Sequence, residues 1–160
     1  MTEERSDGYY PTAVFAQELT LVGNGDIATL PENASLGIGW DWYPHDARVF
    51  DVLLQATVPA SQTRPEEIRV VMVARFERVG TPQPAFAVFA MLNAPTLLVP
   101  YVRETISSLS SRGLLGPILL PTINVIQVMS EMKMEASNGF ASLIARPALA
   151  EAYGFNLAPS

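Results

Sequence analysis

Three stretches of alternating sequence decide the fold: LGIGWDWY at residues 36–43, RVFDVLLQATVPA at residues 48–60 and EEIRVVMVARFERV at residues 66–79. In each stretch apolar side chains recur at about every second position, which is the period of a β-strand. Short turn sequences such as Pro44-His45-Asp46 separate the stretches. Strands joined by short turns pair in antiparallel fashion, so the sequence predicts an antiparallel sheet.

A fourth strand is predicted before these three, at residues 12–22, where the sequence TAVFAQELTLV is rich in β-formers and has no Gly or Pro. Residues 1–11 are mostly polar and are expected to be disordered. The next residues, Gly23-Asn24-Gly25-Asp26, have the composition of a turn.

Two helices are predicted after the sheet. The first covers residues 96–112, with Pro100 in its first turn and Gly113 as the glycine that follows its end. The second covers residues 124–135, with Asn124 as its N-cap. Strands followed by helices indicate an α+β fold, here a four-stranded antiparallel sheet with two helices packed on one face.

The composition excludes several classes of protein. The chain has no cysteine, which excludes disulfides and thiolate metal sites, and its net charge of −6 argues against nucleic-acid binding. The N-terminus lacks the pattern of a signal peptide, and no run of about eighteen apolar residues predicts a membrane span, so a cytoplasmic protein is expected. With 49% apolar and 16% charged residues, the chain has either a large core or an apolar surface for a partner.

No catalytic constellation is recognisable. His45 is the single histidine and could form a relay with Asp41 or Asp46, but no nucleophile is marked, and Pro44-His45-Asp46 has the composition of a surface turn. No phosphate-binding glycine loop is present. We therefore expect no catalytic residue, no metal and no cofactor, and we expect that the protein is not an enzyme.

Three segments resemble the SecB export chaperone family: PTLLVPYVRETISSLSSRG at residues 95–113, LLPTIN at residues 119–124 and VFDVLLQATV at residues 49–58. With the order of strands and helices, the resemblance covers residues 12–135, which we interpret as a SecB-like chaperone domain. Residues 136–160 then form an apolar C-terminal extension, expected to pack on its own oligomer over the client groove.

The resemblance implies an ATP-independent holdase: a homotetramer, built as a dimer of dimers, that binds unfolded or precursor polypeptides in apolar grooves. On the residues themselves, the predicted client-binding positions are the apolar stripes of one strand and the last helix: Leu36, Ile38, Trp40, Trp42, Val125, Val128, Met129 and Met132. The same stripes would suit an ordinary core. The predicted oligomer interface lies on the first helix: Tyr101, Arg103, Glu104, Ile106 and Leu109.

The resemblance also implies the motor protein SecA as a partner, docked through acidic residues of the sheet. Glu18 falls on one of those positions, whereas two others are Val22 and Arg69 here. These departures favour an alternative function, that of a dedicated chaperone for one partner such as an antitoxin. An alternative from another class is a carrier of small apolar ligands on the tryptophan-lined sheet.

Overall fold

A computed structural model of the chain describes residues 5–23, 36–61, 65–113, 115–120, 124–130 and 136–156. Its centre is one four-stranded sheet in the order β1-β4-β3-β2, in which every neighbouring pair is antiparallel. The strands are β1 Gly8–Gly23, β2 Gly37–Pro44, β3 Val49–Val58 and β4 Glu66–Val79. Helices follow the strands along the chain, so the predicted α+β fold class is confirmed.

Strand β1 begins earlier than the sequence predicted. It pairs with β4 from Gly8 opposite Val79 onward, so the prediction that residues 1–11 are disordered is wrong for residues 8–11. Tyr9 explains the extra length, because its ring stacks on Phe89 with 3.9 Å between ring centroids. The sequence signal was hidden because the residues around Tyr9 include a glycine and a proline, which are poor strand formers.

A long helical segment follows β4 and consists of α1 Phe86–Val88, a π-helical turn Phe89–Asn93 and α2 Ala94–Ser110. The prediction that Pro100 lies in the first turn is wrong, because the segment begins well before it and Pro100 is inside α2. The π turn lies directly before Pro95, whose ring would clash with the carbonyl four residues back in a regular α-helix.

This segment is also long and apolar enough, by length and composition alone, to cross a membrane, and it spans 25 residues from Phe86 to Ser110. Core helices of globular proteins share both properties. One face of α2 packs on the sheet through residues four apart, and Leu98, Val102 and Ile106 are almost completely buried there. The core lies between this helix face and the inner face of the sheet.

Gly113 has a spatial role rather than the helix-ending role that was predicted. Its φ is not in the left-handed region, and α2 ends at Ser110, to whose carbonyl the Gly113 N–H donates a hydrogen bond of 3.0 Å. A Cβ at this position would lie only 2.5 Å from Oε1 of the buried Glu66. A larger residue here would therefore require the Glu66 carboxylate to shift.

Three short helices complete the described part of the chain: α3 Val125–Ser130, α4 Asn138–Ile144 and α5 Pro147–Ala152. The predicted N-cap of α3 is confirmed, because Asn124 Oδ1 accepts a hydrogen bond of 3.2 Å from the Gln127 N–H. The remainder of the predicted second helix, residues 131–135, lies outside the described residues.

Candidate functional site

The apolar stripe of β2 faces the helices and not solvent. Leu36, Ile38 and Trp40 are half-buried against the core, and Trp42 is 0% exposed. The prediction that Trp42 is part of an open client surface is therefore wrong for this chain's folded state. The alternation of the sequence identified the face correctly, but it could not show that helices cover that face.

Trp40 and Trp42 are held differently. The indole N–H of Trp40 donates a hydrogen bond of 2.8 Å to the carbonyl of Ala90, which ties β2 to the π turn. The indole N–H of Trp42 is buried and has no acceptor among the described residues. Because an unpaired buried donor is unfavourable, Trp42 is the less satisfied of the two.

Trp42 belongs to an aromatic recess, a name we use for Trp42, Phe50 and Phe86. The ring centroids of Phe86 lie 5.0 Å from Trp42 and 4.8 Å from Phe50, both in edge-on geometry. Residues 137–156, here called the C-terminal segment, close this recess. Tyr153 and Phe155 of that segment contact Phe86, with centroids 4.4 Å and 6.3 Å away.

Polar contacts fix the C-terminal segment to the β2–β3 hairpin. The Asn138 side chain donates to Asp41 Oδ2 at 2.8 Å, and Arg146 Nη2 donates to the Pro44 carbonyl at 2.9 Å. The Tyr153 hydroxyl donates to the Asp46 carbonyl at 2.7 Å. The extension therefore packs on its own chain and covers part of the predicted client stripe.

The predicted sites on the last helix are only partly described. Val128 is half-buried and packs against the core, while its neighbour Ile126 is mostly exposed. The side chains of Val125 and Met129, and all of Met132, lie outside the described residues.

The predicted interface residues of α2 point in different directions. Tyr101 and Glu104 are exposed, as an interface with another subunit requires. Ile106 is 0% exposed and Leu109 is half-buried, because both lie on the helix face that packs on the core. The prediction is therefore wrong for Ile106, whose surface is already covered within this chain.

A groove lies between α2 and the extended residues 117–120, with a volume of about 370 Å³. Arg103 Nη2 donates a hydrogen bond of 2.9 Å to the Leu120 carbonyl across the groove. Leu119, between the buried Ile118 and Leu120, is 83% exposed. The groove is lined by Val99, Pro100, Arg103, Ser107, Ile118, Leu119 and Leu120.

The opposite face of the sheet, which the helices do not cover, carries an apolar band. Strand pairing places Leu53 opposite Val73, and Val73 opposite Phe15, in one row across three strands. Val71 and Val73 are buried by their neighbours, whereas Phe15 at the edge is 43% exposed. A moderate apolar surface thus remains open on this face.

Glu18 lies on this open face but its carboxylate is paired. Arg69 Nε lies 3.2 Å from Glu18 Oε1, and both side chains are about two-fifths exposed. Arg69 Nη2 also donates to Gln55 Oε1 at 3.1 Å. The acidic side chain that the sequence suggested for motor docking therefore forms an ion pair within the chain while it stays partly exposed.

A second charged cluster bounds the other end of the band. Arg75 donates two hydrogen bonds to Asp51, at 2.8 Å from Nε and 2.9 Å from Nη2, and His45 Nε2 lies 2.8 Å from Asp51 Oδ2. Burial opposes the ionisation of Asp51, but the hydrogen bonds from Arg75 and His45 outweigh it, and the pKa of Asp51 lies below its ordinary value. The cluster links the β2–β3 turn to strands β3 and β4.

His45 is thus paired with Asp51 rather than with Asp41 or Asp46, the partners considered from the sequence. The backbone N–H groups of His45 and Asp46 both donate to the Val49 carbonyl, and these hydrogen bonds form the predicted turn. Within the described ranges, no group of three or more His, Cys, Asp or Glu side chains could hold a metal ion.

Sequence reasoning missed the groove beside α2. Its wall, residues 117–120, has only a short buried-exposed-buried pattern at Ile118, Leu119 and Leu120, and three residues are too few for a period to be read. The same weakness hid Ser110, whose hydroxyl accepts a hydrogen bond of 2.7 Å from the Ile118 N–H and so positions that wall.

Comparisons with known proteins point in one direction. Residues 29–136 match the family described as SecB, preprotein translocase subunit. The protein-export protein SecB of Saccharophagus degradans is 30% identical over 127 residues, which is 73% of this chain and 74% of that protein. The SecB protein of Azoarcus is 28% identical over 97 residues, 59% of this chain and 64% of its own length.

A solved structure shows the same fold. The SecB-like chaperone Rv1957 of Mycobacterium tuberculosis, in complex with a ChAD peptide from the HigA1 antitoxin, aligns with a TM-score of 0.59 and 16% identity. The match covers 72% of this chain and 91% of that one. The match to the SecB family model covers more than half of the chain, so the family assignment rests on that match. This chain belongs to the SecB family of protein-export chaperones.

Proposed function

We propose that this protein is an ATP-independent holdase that binds unfolded or precursor polypeptides in the cytoplasm, as a homotetramer arranged as a dimer of dimers. The groove between α2 and residues 117–120 carries the proposal, because its walls are mainly apolar and it is open to solvent along an extended segment. A holdase needs such a surface, since it must accept many apolar sequences without a stereospecific pocket.

Leu119 is the central residue of the proposed client surface. It is the most exposed of the large apolar side chains in the described ranges, and it stands between two residues whose side chains are anchored in the core. An apolar side chain presented in this way would be covered by a client. The half-buried stripe residues Leu36, Ile38, Trp40 and Val128 remain part of the proposal as secondary contacts.

Binding would need no ATP. A client that contacts the groove in several subunits gains effective concentration at each successive site. Preferential binding to the unfolded state then shifts the client's folding equilibrium by mass action. Strand β1 is an edge strand of 16 residues, and an extended client could pair with its free edge.

The tetramer is proposed on the exposed face of α2. Leu97, Tyr101 and Glu104 lie three or four residues apart and are all exposed, so they form one face of the helix that the chain itself does not cover. A second subunit would bury this face. Native mass measurement, with and without an unfolded protein, tests the subunit number and client capture together.

Leu119→Ser tests the groove. Suppression of aggregation of a denatured protein, measured by light scattering without ATP, should fall clearly, because burial of one leucine side chain contributes about 1.5–3 kcal/mol. The matched control is Ile144→Ser, which removes an exposed apolar side chain that does not line the groove. Equal holdase activity in both variants would place the client elsewhere.

A dedicated chaperone for one partner, such as an antitoxin, is the second candidate. The ion pair between Arg69 and Glu18 favours it, because a carboxylate already paired within the chain offers less to a basic docking surface. Two measurements separate the candidates: affinity for several unrelated unfolded proteins supports the general holdase, and so does direct binding to SecA.

A further inference from the structure

We infer that the groove between α2 and residues 117–120 selects clients that carry a carboxylate one or two residues from an apolar side chain, and that Arg103 recognises this carboxylate. The inference rests on the proposed holdase function and names the class of client that the same groove prefers. Three observations support it: the position of Arg103, the hydrogen-bond donors that it leaves unused, and the charge around it.

Arg103 lies on a face of α2 that is separate from the other two faces in use. Val99, Arg103 and Ser107 are four residues apart and form a row along the helix that lines the groove. On one side of this row is the buried face that packs on the sheet, and on the other is the exposed face proposed for the subunit interface. Arg103 can therefore contact a client while the core and the proposed interface stay formed.

The guanidinium of Arg103 spans the groove but uses only a small part of its donor capacity. Its Nη2 donates one hydrogen bond of 2.9 Å to the Leu120 carbonyl. A guanidinium carries several N–H donors in a rigid plane, and within the described residues Arg103 makes no other hydrogen bond. The remaining donors suit a carboxylate, which binds a guanidinium through two parallel hydrogen bonds.

The charge of Arg103 also lacks the compensation that the arginines of the sheet have. Arg69 pairs with Glu18 at 3.2 Å. Arg75 pairs with Asp51 at 2.8 Å. Within the described ranges no carboxylate pairs with Arg103, although its side chain is half-buried between mainly apolar walls. Because a partly desolvated charge without a partner is unfavourable, pairing with a client carboxylate would stabilise the complex.

An apolar side chain and a carboxylate of one client can bind side by side in this groove. Leu119 is 83% exposed, and the next residue, Leu120, carries the carbonyl that accepts from Arg103. Successive Cα atoms of any chain are about 3.8 Å apart. A client side chain that covers Leu119 therefore brings a carboxylate one or two residues away within reach of Arg103. The groove recognises a short pattern rather than a net charge.

The charge of the whole chain acts in the opposite direction. With a net charge of −6, the protein repels acidic polypeptides at long range. Salt screens this repulsion beyond about 8 Å at physiological ionic strength, whereas contact with a half-buried guanidinium is screened much less. The preference for a carboxylate beside an apolar residue should therefore be measured at physiological ionic strength.

Three unstructured peptides with one shared apolar sequence and an N-terminal fluorophore test the selectivity. The first ends in Leu-Ala-Asp and the second in Leu-Ala-Asn, both with an amidated C-terminus. The third ends in Leu-Ala-Asn with a free C-terminal carboxylate. We expect the full-length protein to bind the first about fivefold more tightly than the second in fluorescence anisotropy. A gain in the third peptide alone would assign the carboxylate to the client's chain end, and equal affinities for all three would overturn the inference.

Arg103→Gln tests the residue. The variant lacks the charge, so the preference for the Asp peptide should disappear, whereas Arg103→Lys should keep part of it because an ammonium retains the charge but not the planar fork. The control is Arg112→Gln, an exposed arginine just after α2, which should keep the full preference. If Arg103 only held Leu120 in place, the Gln variant would bind both amidated peptides more weakly at an unchanged ratio, and the inference would be wrong.

The holdase function and this inference can fail separately. If the parent protein suppresses aggregation of denatured proteins but does not distinguish the peptides, only the selectivity of the groove is refuted. If it binds neither the peptides nor any denatured protein, the proposed holdase function is refuted, and the selectivity with it.

Discussion

Replacing Ser110 by alanine removes the hydroxyl that joins the end of α2 to residues 117–120. The Ser110 side chain is buried, and its Oγ donates to the Ile106 carbonyl at 2.7 Å. The same oxygen accepts a hydrogen bond of 2.7 Å from the Ile118 N–H. Alanine therefore leaves a buried backbone donor without its acceptor, and it does so in the wall of the proposed client groove.

The expected loss follows from that single donor. An unsatisfied buried N–H destabilises a fold by about 1–3 kcal/mol. In a chain of this size, each kcal/mol lowers the midpoint of thermal unfolding by about 2–4 °C. Ser110→Ala should therefore unfold about 2–12 °C below the parent in calorimetry. Both proteins must be compared at one concentration, because an oligomer's stability depends on it.

Ser111→Ala is the matched control for this prediction. Its hydroxyl makes an exposed hydrogen bond of 2.7 Å to the Ser108 carbonyl, so its removal should change the free energy of unfolding by less than about 0.5 kcal/mol. If the two variants are equally stable, the Ser110 bridge does not hold the groove wall, and the account of that groove is wrong.

Two further predictions concern the C-terminal segment and acid stability. Gly139→Ala should release the C-terminal segment, because a Cβ at this position would lie 2.5 Å from the ring of Trp42. We expect the tryptophan fluorescence of the variant to be red-shifted and more easily quenched. An unchanged emission spectrum would contradict the prediction. Asp51→Asn should reduce the loss of stability on acidification. The pKa of Asp51 is lower in the folded protein than its ordinary value, so the ionised side chain contributes its full stabilisation above the ordinary pKa. That stabilisation is lost as the pH falls through the pKa of the folded state. Urea unfolding between about pH 6 and pH 3 checks this, and parallel curves for parent and variant would refute it.

The sheet was predictable from the sequence because its signal is repeated. Phe50, Val52 and Leu54 alternate with less buried neighbours, and the same period continues in β4, so face and strand type follow directly. The order of the strands was not predictable in this way. Alternation states which side chains share a face, but it carries no information about which strand lies beside β1.

The start of the helical segment was missed for a physical reason. Residues 85–94 are almost uniformly apolar and therefore show no period, and the prolines at 95 and 100 indicate a helix start rather than a helix interior. Tertiary packing overrides that local preference, because the aromatic rings of Phe86 and Phe89 are buried in the core.

The candidate site was predictable only as a list of apolar residues. Trp40, Trp42 and Ile106 were correctly recognised as members of apolar stripes, but a stripe suits a core, an interface or a client surface equally well. What decides among these is the layer that covers the stripe. For Trp42 that layer is the C-terminal segment, which lies almost 100 residues later in the chain.

The π-helical turn at Phe89–Asn93 lies inside the long helix, between α1 and α2, and sets the rotation of one relative to the other. Each residue of a regular helix advances the side chains by about 100°, so loss of one residue here would rotate Phe86 by that angle relative to Leu98. In an alignment of relatives, insertions and deletions should therefore be rare within this turn. Where one occurs, the position of the aromatic residue at the start of the helix should change as well. The rotation set by one extra residue is thus a constraint on how this chain can diverge.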